Sequence, residues 1–223
     1  MIVVPRAKLC AVLAVLGDDD PPPPADPLSA WPDDPVDELV GTILSQHTRD
    51  SAAAHAALRA AFPTWDALRA APETLVAEVI WSSGLARVKA HRLHLALNGL
   101  AEAYGGQVTL APLAAAPLAD ARRWLAALPG VGPKTAACVL LFGLGRPVLP
   151  VDDHVHRCVT RLGLVPAGLT PTQSHAALEA ALGEDTAAVR LLHTRLHGLS
   201  RQVCRRDAPL CTECPLAPCC DFA

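Results

Sequence analysis

Apolar residues return every three to four positions along most of this chain, in stretches broken by glycine and proline. The first stretch, residues 5–16, reads as a short apolar helix. An Asp- and Pro-rich connector follows from Asp18 to Pro35, too dense in proline for a helix. Beyond it the periodicity predicts helices at Val36–Ser45, Ser51–Ala61, Trp65–Ala70, Pro72–Ser82, Val88–Tyr104, Leu118–Leu128, Lys134–Leu144, Asp153–Leu162, Thr172–Leu182 and Thr186–Arg201. Gly84, Gly105, Gly106, Gly130, Gly132, Gly145 and Gly163 punctuate them, where helices have to stop. No internal repeat is visible.

Composition sharpens this pattern into a fold class. The 223 residues are 51% hydrophobic, enough for a full core in one domain or two small ones. Aromatics are only 4%, and runs of Val, Ile, Thr and Tyr are scarce, so the expectation is all-α. No apolar stretch is long enough to span a membrane. The apolar start is interrupted by Arg6 and Lys8 and leads into the acidic connector rather than a cleavage site, so no secretory signal is expected. The expected compartment is therefore the cytoplasm.

Net charge is −3, which by itself argues against a nucleic-acid partner. Its distribution argues the other way. Residues 1–50 hold nine acids and three bases, while residues 51–223 hold thirteen acids and sixteen bases. Arg190, Arg195, Arg201, Arg205 and Arg206 fall in seventeen residues without an acid. That run is either a solvated helix face or a local basic footprint for phosphates.

Three features carry chemistry. The first is the tight turn from Leu128 through Pro129, Gly130, Val131, Gly132, Pro133, Lys134 and Thr135 to Ala136 and Ala137. Two glycines allow positive φ and strip Cβ atoms from the turn surface. The amides of the turn and of the next helix end then form a nest for a phosphate oxygen, blind to sequence. An ordinary helix–turn–helix corner is the alternative. The second feature is Lys134, at the start of a helix, with Asp152 eighteen residues later just before another. Lys134 is open to three roles: phosphate binder, surface residue or nucleophile. Asp152 is open to two: a helix cap or a functional carboxylate.

The third feature is cysteine. Five of eight cysteines crowd the last twenty residues. Cys204, Cys211, Cys214 and Cys220 are spaced by six, two and five intervening residues, with Cys219 beside the last. In a reducing compartment this points to zinc or an iron–sulfur cluster rather than disulfides. Cys10, Cys138 and Cys158 lie on apolar helical faces and are expected in the core.

The string from Leu128 to Ala136, continued by Gly145 to Arg157, closely resembles the helix–hairpin–helix and aspartate loop of the base-excision glycosylases. Residues 36–220 are similar to the endonuclease III family of that superfamily. The resemblance implies two helical domains with a DNA cleft between them. One spans residues 29–146 and ends with the hairpin. The other joins residues 1–28 to 147–223 and carries the cysteines. It implies that Gly130, Val131, Gly132, Lys134 and Thr135 grip DNA. It implies that Lys134 attacks the sugar through a Schiff base while Asp152 stabilises positive charge and assists proton transfer, with His154 in support. Cys204, Cys211, Cys214 and Cys220 match the family's [4Fe-4S] loop, the spacing of five selecting Cys220 over Cys219. Arg205 and Arg206 in that loop are expected at phosphates. Ile43 to Asp50 is similar to the stretch that plugs the hole left by the extruded base, with Gln46 or His47 as the plug. Gly84 to Ala90 resembles the loop wedged into the opposite strand, with Arg87 and Lys89 as its contacts.

The implied partner is damaged double-stranded DNA met by a monomer at the nucleoid. The implied substrates are oxidised pyrimidines such as thymine glycol, and abasic sites. A lysine at position 134 favours a combined glycosylase and abasic-site lyase over a hydrolytic relative. Two other readings remain: a single-function glycosylase for mismatched or adenine bases, and a DNA-binding paralogue with little catalysis.

Overall fold

The computed structural model describes residues 2–18, 34–47 and 51–223. Residues 19–33 of the connector, residues 48–50 of the expected plug stretch, and the domain boundary expected at residues 28 and 29 lie outside the described residues. Among the described residues there are helices and turns and no strand, which is the all-α class the sequence implies. The helices are α1 (Arg6–Asp18), α2 (Pro35–Ser45), α3 (Ala52–Ala61), α4 (Trp65–Ala70), α5 (Glu73–Val79), α6 (Ala86–Ala103), α7 (Leu118–Ala127), α8 (Pro133–Cys138), α9 (Asp153–Arg161), α10 (Pro171–Leu182) and α11 (Thr186–Gln202).

The chain divides into two compact units, Pro27–Arg146 and the pair of segments Met1–Asp26 with Pro147–Ala223. In the first, hereafter the hairpin unit, α2 runs through the middle and packs on α3, α6 and α8. Leu39, Ile43, Leu44, Leu58, Leu68, Leu93, Leu97, Leu100 and Leu125 are fully buried there. Each such side chain contributes roughly 1.5–3 kcal/mol by leaving water. In the second, the cysteine unit, α11 packs on α9, α1 and α10 around Val12, Val155, Val159, Leu178, Leu192 and Leu196. Cys138 and Cys158 are buried as expected, but Cys10 is exposed. On α1 the buried stripe is Leu9, Val12 and Leu16, and Cys10 falls one position outside it.

Side-chain caps fix five of the eleven helix starts among the described residues. Asp34 accepts from the Val36 amide at 2.9 Å, with Pro35 in the first turn of α2. Thr170 and Gln173 form a reciprocal capping box at α10, and Asp185 accepts from Ala188 at α11. Two expected helices end differently. The one expected to Ser82 is α-helical only to Val79 and tightens into a 3₁₀ turn over Trp81–Ser83, where the Ser83 hydroxyl and amide both take the Ile80 carbonyl, at 2.8 and 2.9 Å. The one expected to Leu144 is α-helical only to Cys138 and widens into a π turn over Val139–Gly143. Gly143 there lies against Pro35 and Glu38 of α2, where a Cβ would come within 3.1 Å of backbone. The widened turn accommodates that close crossing.

His55 sits 1% exposed on α3, its Nε2 3.8 Å from Asp37, while Arg59 lies 3.6 Å from the same carboxyl. Burial first, and the Arg59 charge second, pull His55 down to about 4. A histidine whose folded value lies below its unfolded one costs stability as pH falls from about 6.5 toward 4. Denaturant midpoints should therefore drop across that window, and His55→Asn should flatten the drop by up to about 3 kcal/mol. The raised Asp37 carboxyl opposes the trend, so the difference between the two proteins carries the prediction. Parallel pH curves would contradict it.

Candidate functional site

The hairpin unit contributes the turn between α7 and α8. Leu128 leaves α7 in an extended conformation, and the Val131 amide donates back to the Leu128 carbonyl at 3.0 Å. Gly130 takes φ +79° and lies so close to Arg92 that a Cβ would stand 2.8 Å from Arg92 Cγ. Any side chain at 130 meets both the backbone strain and this contact. Gly132 is different: it is extended, with open space around it, so positive φ is required at only one of the two glycines. Val131 is also reassigned. Its side chain is buried and its amide is bonded inside the turn, so it builds the hairpin rather than facing a ligand. Lys134 is the second residue of α8, half-buried, ahead of the first intrahelical donor in that turn, Ala136. Thr135 is buried, its Oγ1 3.4 Å from Gln46 Nε2.

One further loop of the hairpin unit is tied to this turn, and a second is tied to the end of α2. Gln46 reaches toward Gly130 O and Thr135 Oγ1, and Arg92 Nη1 donates to Gln46 Oε1 at 2.6 Å. His47 is exposed, with φ +55°. The two residues of the expected plug are thus unlike: Gln46 is spent on the hairpin, and His47 projects. Downstream, Gly84 and then Leu85 take positive φ, +64° and +50°. Leucine pays roughly 1–2 kcal/mol for that conformation. Trp81, Leu85 and Val88 are exposed around it, 76, 57 and 46%. Arg87 is exposed, as its expected role needs. Lys89 is not. It is 1% exposed, and its ammonium donates to the Leu44 and Ser83 carbonyls, each at 2.6 Å. A group spent on two internal carbonyls makes no contact with an opposite strand. Burial first, then Arg92, lowers its pKa to about 8. Arg92 and Trp81 were missed in the sequence, while Leu85 and Val88 fell inside the loop expected at Gly84–Ala90 without a role of their own. The Gly84 break was the one local signal, and Arg92 carried none.

The cysteine unit contributes Asp152 and the thiols. Asp152 caps α9, its Oδ1 accepting from the His154 and Val155 amides at 3.0 and 2.9 Å. Its Oδ2 lies 3.9 Å from His197 Nε2. His197 stacks on His193 and meets His154 edge-on. His193 Nδ1 donates to Pro150 O at 2.8 Å, and His154 Nδ1 pairs with Ser200 Oγ at 3.0 Å.

Cys204, Cys211, Cys214 and Cys220 line one pocket with Arg161 and Phe222. Cys219 lies outside that lining, its Sγ on the Leu216 carbonyl at 3.3 Å. Arg161 Nη1 points at Cys204 Sγ from 3.5 Å, and Arg157 holds the Cys204 carbonyl. The neighbouring Cys158 thiol first, and the Arg161 guanidinium with it, hold the Cys204 thiol below its ordinary value against the opposing effect of burial. Arg161 also holds the carbonyls of Arg205 and Arg206, whose side chains are exposed. Among the described residues no three His, Cys, Asp or Glu side chains are grouped to hold a single metal ion. No described helix is long and apolar enough to cross a membrane.

The model of the HhH-GPD superfamily of base excision DNA repair proteins matches residues 40–184. Endonuclease III of Thermotoga maritima is 38% identical over 192 residues, 85% of this chain and 84% of that one. A solved non-covalent endonuclease III–DNA complex is similar at a TM-score of 0.81 and 25% identity, over 99% of this chain and 97% of that chain. A trapped endonuclease III–DNA covalent intermediate is similar at 0.76 and 26%, over 97% and 94%.

The cap geometry at Asp152 makes a stability prediction. Asp152→Ala should lower the unfolding free energy by about 1 kcal/mol, while Asp152→Asn, an equally good cap, should change it by a few tenths. Urea titration of the three proteins checks this, and equal losses in both variants would contradict the cap.

Proposed function

The chain belongs to the endonuclease III family of the HhH-GPD superfamily of base excision DNA repair proteins, and from that premise we propose a combined DNA glycosylase and abasic-site lyase acting on oxidised pyrimidines. The observation that carries this reading is Lys134, an amine in the first turn of α8 directly after the hairpin. A hydrolytic glycosylase has no use for a nucleophile there. The solved covalent intermediate of a relative supports the same chemistry.

In the proposed reaction the hairpin grips a phosphate through the amides that open α8. Gly130 lets that turn close, and Arg205 and Arg206 add exposed charge for further phosphates. His47 fills the space left by the extruded base, and Arg87 meets the opposite strand. The Lys134 amine attacks C1′, and the C1′–N bond breaks with its electron pair leaving on the base, which takes up a proton. Ring opening gives a Schiff base between Lys134 and C1′. That imine acidifies the 2′ proton; its loss expels the 3′ phosphate and breaks the strand, and water then releases Lys134. Asp152 stabilises the positive charge that develops on the sugar and moves protons to and from Lys134. Its Oδ1 is committed to the α9 cap, which fixes the orientation of Oδ2.

The thiols of Cys204, Cys211, Cys214 and Cys220 line one pocket and would hold a [4Fe-4S] cluster, with Arg161 and Arg157 offsetting its negative charge. With all four irons ligated, the cluster would tie the loop that carries Arg205 and Arg206 and leave the sugar chemistry to the protein. Cys220→Ser should abolish the visible iron–sulfur absorption of the purified protein and Cys219→Ser should keep it. The reverse pattern would overturn the assignment.

Nicking of thymine-glycol and abasic duplexes tests the activity. The parent should cut both on the 3′ side of the lesion. Lys134→Gln should lose at least about 10³-fold in single-turnover rate. Asp152→Asn should stay folded yet lose a similar factor. Base release without nicking by the parent would instead indicate a single-function glycosylase, and binding without either would indicate a non-catalytic paralogue.

A further inference from the structure

Two residues one turn apart on α6, Lys89 and Arg92, connect three loops that are far apart in sequence. Lys89 Nζ donates to the Leu44 carbonyl at the end of α2 and to the Ser83 carbonyl in the turn before α6. Three residues on, Arg92 donates through Nη1 to Gln46 Oε1, and its stem fills the space above Gly130. Gln46 completes the triangle by reaching Gly130 O and Thr135 Oγ1. Every loop to which the proposed function assigns a part in gripping or opening DNA within the hairpin unit is therefore tied to one face of one helix. The contacts are costly to make. A fully buried ammonium gives up hydration worth several kcal/mol, which hydrogen bonds have to replace. Leu85 holds a left-handed conformation beside it.

We propose that Lys89 and Arg92 are positioning residues that lock the loops at Gln46–His47, Ser83–Leu85 and Leu128–Gly132 into one preorganised DNA-reading edge. Neither acts by meeting phosphate. Leu44 O is an end-of-helix carbonyl, and a cation there satisfies both the carbonyl and the helix dipole. The gain is entropic: loops already fixed relative to one another are not ordered again when duplex binds. The inference rests on the proposed function for its DNA consequence, while the coupling itself is a property of the protein alone.

Hydrogen exchange without DNA reads the coupling directly. Lys89→Met keeps the stem and removes the donors. It should speed exchange by roughly tenfold at residues 45–47 and at 83–85 together. Arg92→Met, at a half-buried position, should do so at 45–47 and at 130–132. Amides of α3 serve as the unchanged reference. In duplex binding, Lys89→Met should weaken affinity by roughly tenfold with the salt slope unaltered, whereas loss of a phosphate contact lowers that slope by about one unit. Exchange that rises at one loop only, or a slope reduced by one unit, would overturn the proposal. So would variants that melt earlier yet keep the parent's loop exchange and affinity. Should the parent itself fail to bind damaged duplex, the proposed function falls, while the exchange pattern still decides the coupling.

Discussion

The Lys89 ammonium is buried, and the proposed DNA-reading edge of the hairpin unit depends on how that burial is satisfied. An ion cannot leave water without hydrogen-bond partners, and the partners available were two main-chain carbonyls from different segments, Leu44 and Ser83. Satisfying it therefore sets the distance between the end of α2 and the turn before α6. Arg92, on the same face, sets the distance from Gln46 to the hairpin. The close approach of Gly130 to the Arg92 stem then removes any room for a side chain in the turn. Glycine at 130 is thus a packing requirement as well as a conformational one.

The cysteine unit solves a different problem with similar means. Asp152 serves first as a cap, and the cap orients the carboxylate for its proposed work. The cap and the proposed chemical role can share one side chain because they use different oxygens. In the thiol loop, Arg161 holds the Cys204 sulfur and the Arg205 and Arg206 carbonyls at once. One guanidinium thereby links the pocket to the exposed arginines through backbone, leaving those side chains outward.

Much of this was legible in the sequence, for local reasons. Helix positions were readable from apolar periodicity, and the caps that fix several starts are sequence-adjacent: Asp34 with Pro35, Thr170 with Gln173, Asp185 with Ala188. The all-α class and the family followed from periodicity and from the hairpin string. What was hidden depends on distant partners. Lys89 reads as a surface cation because nothing near it in sequence reveals the carbonyl at Leu44. Val131 reads as part of an outward nest until its amide is seen bonded to Leu128. The two glycines look alike until only Gly130 proves to have a neighbour and a positive φ. The π turn after Cys138 depends on the crossing of Gly143 with Pro35, far away in the chain.

The proposed chemistry turns on one bond, between the side-chain amine of Lys134 and the sugar. Borohydride reduction of the protein mixed with abasic duplex, followed by proteolysis and mass mapping, addresses it at the level of one atom. A reduced sugar adduct is expected on the peptide that contains Lys134, at its side-chain nitrogen. An adduct on another lysine, or none while the strand is still cut, would contradict it.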